Sequence, residues 1–169
     1  AMWLDAVEDE RWQRVATIGP AQTGKTLIAC VVPTLFHLFE HAENVILGVP
    51  DAAMAADKWR EDLLPIIERT RYRSLLPTSG SSSRGGDPRA AIRFRNGATL
   101  RIMTGGAGAK AVAGYTARVL VVTEVDGFGR VASSEETDRL SLLEARTRQY
   151  RGQRRIYLEC TVTTAQGRI

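Results

Sequence analysis

The chain has 169 residues, 44% hydrophobic and 25% charged, which suits one globular domain with a sizeable core and excludes a disordered or fibrous chain. Its longest apolar stretch, residues 27–39, is interrupted by Pro33, Thr34 and His37 and is too short to span a bilayer, so no membrane role is expected. The net charge is +4 and the only lysines are Lys25, Lys58 and Lys110; this arginine-rich balance suits a nucleic-acid partner without demanding one.

Residues 3–12 read as a helix with Trp3, Leu4 and Val7 on one side, preceded by Ala1-Met2, which looks like a cloning remnant ahead of an internal start. The native chain is therefore expected to begin earlier, and no signal peptide is visible. Arg14-Val-Ala-Thr-Ile18 is a short strand, and it runs into Gly19-Pro-Ala-Gln-Thr-Gly-Lys-Thr26. That string is G-x-x-x-x-G-K-T, the phosphate-binding P-loop, set between a strand and a helix as it must be. Gly19, Pro20, Ala21, Gln22, Thr23 and Gly24 form a loop whose backbone N–H groups can turn inward onto an anion. Lys25 supplies a point charge for the β- and γ-phosphates and is expected to touch phosphate rather than core. Thr26 offers a hydroxyl to Mg²⁺, and the helix that follows points its N-terminus at the phosphates. ATP and Mg²⁺ are therefore the expected cofactors.

The helix from Thr26 to about Glu40 contains Pro33, which should kink or split it. Asn44–Pro50 is a near-continuous apolar run, the signature of a buried parallel strand, and Asp51 can N-cap a helix carrying Met54, Ala55, Trp59, Leu63 and Ile66 at helical spacing. Pro65 can start a new turn there. Thr78–Pro88 is a surface loop by composition. Residues 91–103 alternate apolar and polar side chains about Asn96-Gly97 and predict a hairpin. A second glycine loop covers Gly105–Lys110. Val119–Val122 is another buried strand, ending in Thr123-Glu124-Val125-Asp126, and Ser133-x-x-Glu136 is a capping box opening a helix with Leu140 and Leu143. Arg155–Cys160 is the last strand. Cys30 and Cys160 lie far apart in apolar segments, as buried thiols of a cytosolic protein do.

Strands alternating with helices predict a mostly parallel α/β sheet covered on both faces, with antiparallel hairpin strands at one edge. Ligands bind such sheets at the carboxyl ends of the strands, where the P-loop, Glu124 and Thr161 all fall. Hydrolysis needs a metal site and a group that activates water. Glu124 immediately follows the position where a Mg²⁺-bridging Asp usually stands, and it is the candidate for the carboxylate that polarises water. Thr123 occupies that preceding position with a hydroxyl, a weaker partner for a hard cation. Three arrangements stay open: Thr123 acts through a metal-bound water, Asp126 moves in as a surrogate, or Thr26 and the phosphates hold the metal with little other help. Thr161 follows the last strand, beside the expected γ-phosphate.

These features together resemble the ATPase domain of the phage terminase large subunit of the lambda type, over nearly the whole chain. The carriers are Gln22–Thr26, Val49-Pro50-Asp51 with the Trp59 helix, Phe94–Leu100, Thr123–Phe128 with Arg146 beyond it, and Glu159–Thr163. The resemblance implies a P-loop NTPase of the RecA-like, additional-strand, catalytic-glutamate type, with Thr161 matching the residue that couples hydrolysis to movement. It also implies ATP-driven packaging of double-stranded DNA into procapsids, self-association into a ring on the portal protein, a small terminase subunit as partner, and action in the cytoplasm of an infected or lysogenic bacterium. Residues 1–169 would be a single ATPase domain, with a nuclease domain following in the native chain. Departures from the family pattern are Thr123 in place of Asp, a P-loop without Arg, and Ala113-Gly114 in place of an Arg-Gly pair; Lys110 is the nearest basic side chain that could act in trans on a neighbouring subunit.

Two other readings stay open: the first domain of a superfamily 2 helicase, because Glu-x-Asp follows a strand, and a nucleotide-binding module that does not hydrolyse. His37 and His41 have the spacing of a paired metal site but no companion ligands, so no such site is expected. Arg84, Arg89, Arg93 and Arg95, and Arg148, Arg151, Arg154 and Arg155, form two basic clusters that could follow a phosphate backbone or simply face water. Trp12, close before the P-loop strand, is a possible adenine-stacking side chain.

Overall fold

A computed structural model describes residues 2–78, 91–104, 115–128 and 139–161. The loop at 79–90, the glycine loop with Lys110, Ala113-Gly114, the Ser133/Glu136 capping box, Arg84, Arg89 and Thr163 lie outside these residues.

Six strands form one sheet in the order β1-β6-β5-β2-β4-β3. They are β1 (Arg14–Ile18), β2 (Val45–Val49), β3 (Ile92–Arg93), β4 (Thr99–Thr104), β5 (Val119–Val122) and β6 (Arg155–Cys160). All neighbours are parallel except β3, which runs antiparallel to β4 at the edge. The Asn96-Gly97 turn joins that pair as expected: Gly97 takes φ +90°, and the Phe94 N–H donates to the Ala98 carbonyl at 2.8 Å. Only β3 is antiparallel, because β4 returns to the parallel register beside β2.

The interior strands β2, β5 and β6 are buried along their whole length, which is why β2 and β5 read as continuous apolar runs, while β6 buries Arg155 and Glu159 as well. Alternation along each strand sends side chains to two cores. Leu47, Val119, Val121 and Tyr157 face a core closed by Val7, Cys30, Val31, Leu38, Trp59 and Ile67. Ile46, Leu120, Val122, Ile156 and Leu158 face a second core with Phe128, Leu140 and Leu143. The first is covered by α1 (Met2–Glu8), α2 (Val32–Phe39), α3 (Ala52–Asp57) and α4 (Leu64–Arg69), the second by α5 (Arg139–Ala145). No helix of the described residues is long and apolar enough to cross a membrane.

The two helical prolines are accommodated in the same way. A π-helical turn (Leu27–Val31) precedes α2, and another (Lys58–Leu63) precedes α4. The Val32 N–H reaches the Leu27 carbonyl and the Leu64 N–H the Trp59 carbonyl, each five residues back. Pro33 and Pro65 then fall in the first turn after the change of register, where a missing N–H costs little. The helix after the P-loop is thus re-registered rather than broken at Pro33. Asp51 caps α3 as expected, accepting from the Met54 N–H at 2.9 Å, a contact worth about 1 kcal/mol.

Arg155 departs from its sequence reading. It is not part of a surface basic cluster but 2% exposed. Its guanidinium donates to the carbonyls of Ala6, Val7, Asp9 and Trp12 and to the Tyr157 hydroxyl. It thereby satisfies the carbonyl end of α1, which has no basic residue of its own in its last turn. Arg93, Arg95, Arg148 and Arg151 are exposed, as a basic surface requires.

Arg155→Met keeps much of the apolar stem but strands several buried carbonyls, each costing about 1–3 kcal/mol when left unpaired. We expect a loss of roughly 3 kcal/mol, read as a fall in melting temperature of about 6–12 °C. A shift within error of zero would show that water or backbone movement satisfies those carbonyls.

Candidate functional site

β1 ends at Ile18 and the chain turns through the P-loop. Gln22 and Gly24 both occupy the left-handed region, at φ +59° and +76°. Gly24 has no Cβ to resist this; for Gln22 the conformation costs on the order of 1 kcal/mol, the kind of strain that collects at ligand-binding turns. Thr23 Oγ1 donates to the Pro20 carbonyl at 2.9 Å and the Ile28 N–H to the Gly24 carbonyl at 3.2 Å, so the loop is braced from within and against its helix. The Gly19 N–H donates to the Cys160 carbonyl at 3.3 Å and ties the start of the loop to the end of β6. Pro20, Ala21, Gln22, Thr23 and Gly24 are exposed; Thr26 is half-buried at the helix start, its hydroxyl making no capping bond.

Lys25 was expected to touch phosphate rather than core. Here it is 9% exposed, with Nζ 3.3 Å from Oε1 of Glu159, a side chain with no exposed surface. The Glu159 carboxylate is the centre of the site. Its Oε2 accepts from Thr123 Oγ1 at 2.5 Å and from the Glu124 N–H at 3.3 Å. Its Oε1 makes no hydrogen bond among the described residues. The sheet explains this convergence. β6 lies between β1 and β5, with Thr17 opposite Glu159 and Val122 opposite Leu158, so Thr123 and Glu159 are neighbours on one face.

Sequence reading passed over Glu159 because it stands inside Arg155–Cys160, a strand that reads as apolar. The available signal was the acid itself, since an unpaired Glu is almost never found at the centre of a buried strand.

Glu124 follows β5 with a left-handed backbone, φ +51°, its carbonyl accepting from the Gly127 N–H at 2.8 Å. A non-glycine residue held there is strained, and the turn lifts it off the strand line. Its side chain is half-buried at the same sheet end as the P-loop. Gly127 makes the turn possible, since a Cβ there would lie 2.7 Å from Pro50 Cγ. Thr123 is fully buried, its hydroxyl committed to Glu159. Asp126 is half-buried beside Cys160; burial pushes the Cys160 thiol up to about 11, opposed by the Asp126 backbone hydrogen bond. Thr161 is half-buried just past β6. Burial also pushes the Cys30 thiol up to about 12, so both cysteines are inert core thiols.

The other candidates resolve simply. His37 is buried, with Nδ1 2.6 Å from Glu43 Oε2 and Nε2 2.8 Å from the Tyr157 hydroxyl; both nitrogens are occupied and it forms no metal pair with His41. Among the described residues no group of three or more His, Cys, Asp and Glu could hold a metal by itself. Trp12 is 55% exposed, but it precedes the start of β1 and so lies at the opposite end of that strand from the P-loop, too far for stacking on a nucleotide bound there.

Comparison with known proteins agrees with this geometry. A family model described as the ATPase domain of the phage terminase large subunit gpA matches residues 2–169. Among solved structures, the large terminase ATPase domain of Thermus phage P74-26 is similar over 87% of this chain, with TM-score 0.52 and 16% identity. A point mutant of that domain aligns over 89% of this chain with TM-score 0.49 and 17% identity. This chain spans 58% of the first of these solved domains. A sequence search of curated proteins gave no significant match. At such identities the structural likeness speaks for the fold alone, and the family match is what assigns the chain: it belongs to the phage terminase large subunit gpA family, as part of the ATPase domain.

Proposed function

We propose that this domain hydrolyses ATP to drive packaging of double-stranded DNA into procapsids. The observation that carries the reading is the meeting of P-loop, Lys25 and Glu124 at one end of the sheet, with β6 inserted between the P-loop strand and β5, the strand that Glu124 follows. The backbone of Gly19–Gly24 holds the phosphates and Lys25 neutralises the β- and γ-oxygens. Glu124, raised on its strained turn, orients a water for in-line attack on the γ-phosphate and accepts its proton. Thr161, continuous with β6, reports the state of the γ-phosphate to the rest of the motor.

The site fits Mg²⁺: the Thr26 hydroxyl makes no capping bond, and a buried carboxylate oxygen of Glu159 lacks a hydrogen bond. Thr26, Thr123 and Asp126 are the side chains read from sequence as its holders. Mg²⁺ supplies charge neutralisation on the phosphates. The proposed partners are double-stranded DNA, further copies of the subunit in a ring, the portal protein and a small terminase subunit, in the bacterial cytoplasm. Membership of the terminase family favours this reading over the helicase one, and a turnover assay with Mg·ATP separates it from a non-hydrolysing module.

Glu124→Gln should leave ATP binding intact and lower turnover by about 10²–10⁴-fold, because the amide keeps the shape and loses the base. Turnover within a few-fold of wild type would move the water-activating role elsewhere.

Lys25→Ala should abolish nucleotide binding and also destabilise the fold, since it strands Glu159; breaking a buried pair costs about 3–5 kcal/mol. Lys25→Ala/Glu159→Gln should recover much of that stability without recovering binding. Restored affinity in the double variant would refute the role of Lys25 at the phosphates.

The P-loop contains no arginine, so the isolated domain should turn over slowly, and a cation supplied in trans can be worth roughly 10³–10⁵-fold. Lys110 is the candidate. Mixing Lys110→Ala with Glu124→Gln subunits in DNA-bound rings should restore some ATPase activity absent from either alone. Full turnover by monomers would exclude the trans mechanism.

A further inference from the structure

We propose that Glu159 supplies the Mg²⁺-associated carboxylate that position 123 lacks, and that the Lys25–Glu159 ion pair latches the empty site until phosphate draws Lys25 away. This rests on the nucleotide reading above and names a residue that reading leaves unassigned.

Three observations carry it. The first is position. Thr123 stands where the carboxylate of this fold is expected, and Glu159 Oε2 lies 2.5 Å from its hydroxyl, so a carboxylate is present in that neighbourhood, offered from the adjacent strand. The hydroxyl and the Glu124 N–H hold one oxygen and fix the orientation of the group.

The second is the unused oxygen. Glu159 Oε1 is fully buried and makes no hydrogen bond among the described residues; Lys25 Nζ, at 3.3 Å, is its ion-pair partner. A buried carboxylate oxygen in that state has capacity for a hard cation, and Mg²⁺ favours sites with one or two carboxylates completed by substrate phosphates and water.

The third is charge exchange. When Lys25 turns to phosphate, Glu159 loses its counter-ion inside a site with no exposed carboxylate surface. Among the described residues Lys58 also senses Glu159, but Asp62 holds its ammonium at 2.7 Å. A divalent cation arriving with the nucleotide replaces the charge that Lys25 withdraws. Nucleotide and metal binding are therefore coupled through Glu159, whereas metal-free nucleotide must break the latch without compensation.

The test uses the 169-residue chain, a fluorescent ADP analogue as probe, and titrations in EDTA and in saturating Mg²⁺. Wild type should bind more tightly with Mg²⁺. Glu159→Gln should bind at least as tightly as wild type in EDTA, because the latch is gone, and should lose about tenfold or more of the Mg²⁺ enhancement, the usual scale for altered metal-site groups. Moving the carboxylate back, Thr123→Asp/Glu159→Gln, should restore that enhancement. Thr123→Asp alone should lower the melting temperature, since it sets two carboxylates in contact. Equal weakening of Glu159→Gln in both media, or an unchanged Mg²⁺ enhancement, would overturn the proposal and leave Glu159 as a structural counter-ion. If Glu159→Gln does not fold, the swapped pair decides: a folded swap without Mg²⁺ enhancement overturns the proposal, and so does a swap that fails to fold. Absence of probe binding by wild type in either medium would instead refute the nucleotide reading.

Discussion

A carboxylate with no exposed surface requires a compensating positive charge, and the arrangement of this site follows from that requirement at Glu159. A buried ion pair is weak evidence for stability, because desolvating both charges offsets most of their attraction. Here the pair sits at the foot of the P-loop, and Lys25 lies against Glu159 because β6 has entered between β1, which leads into the P-loop, and β5, which Glu124 follows. The strained backbones at Gln22 and Glu124 flank it on either side. Their cost is met by the rigid parallel sheet beneath, whose two cores hold β5 and β6 without exposure.

Much of this was legible in the residues. The P-loop has a spacing that carries its mechanism, Asp51 has the chemistry of an N-cap, and Asn96-Gly97 has that of a tight turn; each depends on neighbours in the chain. The limits of β2 and β5 follow from runs of apolar residues that parallel burial imposes. What escaped notice depends on neighbours in space. Glu159 and Arg155 both belong to β6, and although a charge inside a buried strand signals that it is paired, nothing local says that the partner is a P-loop lysine or a helix end. Pro33 predicted a kink or a split, and what stands ahead of it is a π-helical turn that shifts the hydrogen-bond register and carries the helix on.

The two π turns make a pair across the first core. One lies on the helix that leaves the P-loop and the other on the Trp59 helix that packs over it, with Trp59 fully buried between the helices and the sheet. π-helical turns are uncommon and concentrate at functional sites. In this domain each π turn places its proline in the first turn of the helix that follows, so the chain stays helical over the sheet. Cys30, buried in the first of these turns, is shielded from chemistry by the same packing.

Strand order also has a consequence for biosynthesis. Among the described residues β6 is the last strand, yet it occupies an interior place in the sheet, and it brings both Glu159 and the carbonyl that anchors Gly19. A ribosome-bound fragment ending before Arg155 has the P-loop sequence but lacks the strand that seats it between β1 and β5. The pairing of β1 with β6 spans almost the whole chain, the kind of distant contact that forms late in folding. The cluster of P-loop, Lys25 and Glu159 is thus completed only after β6 has been made, and a chain cut short of β6 is denied it.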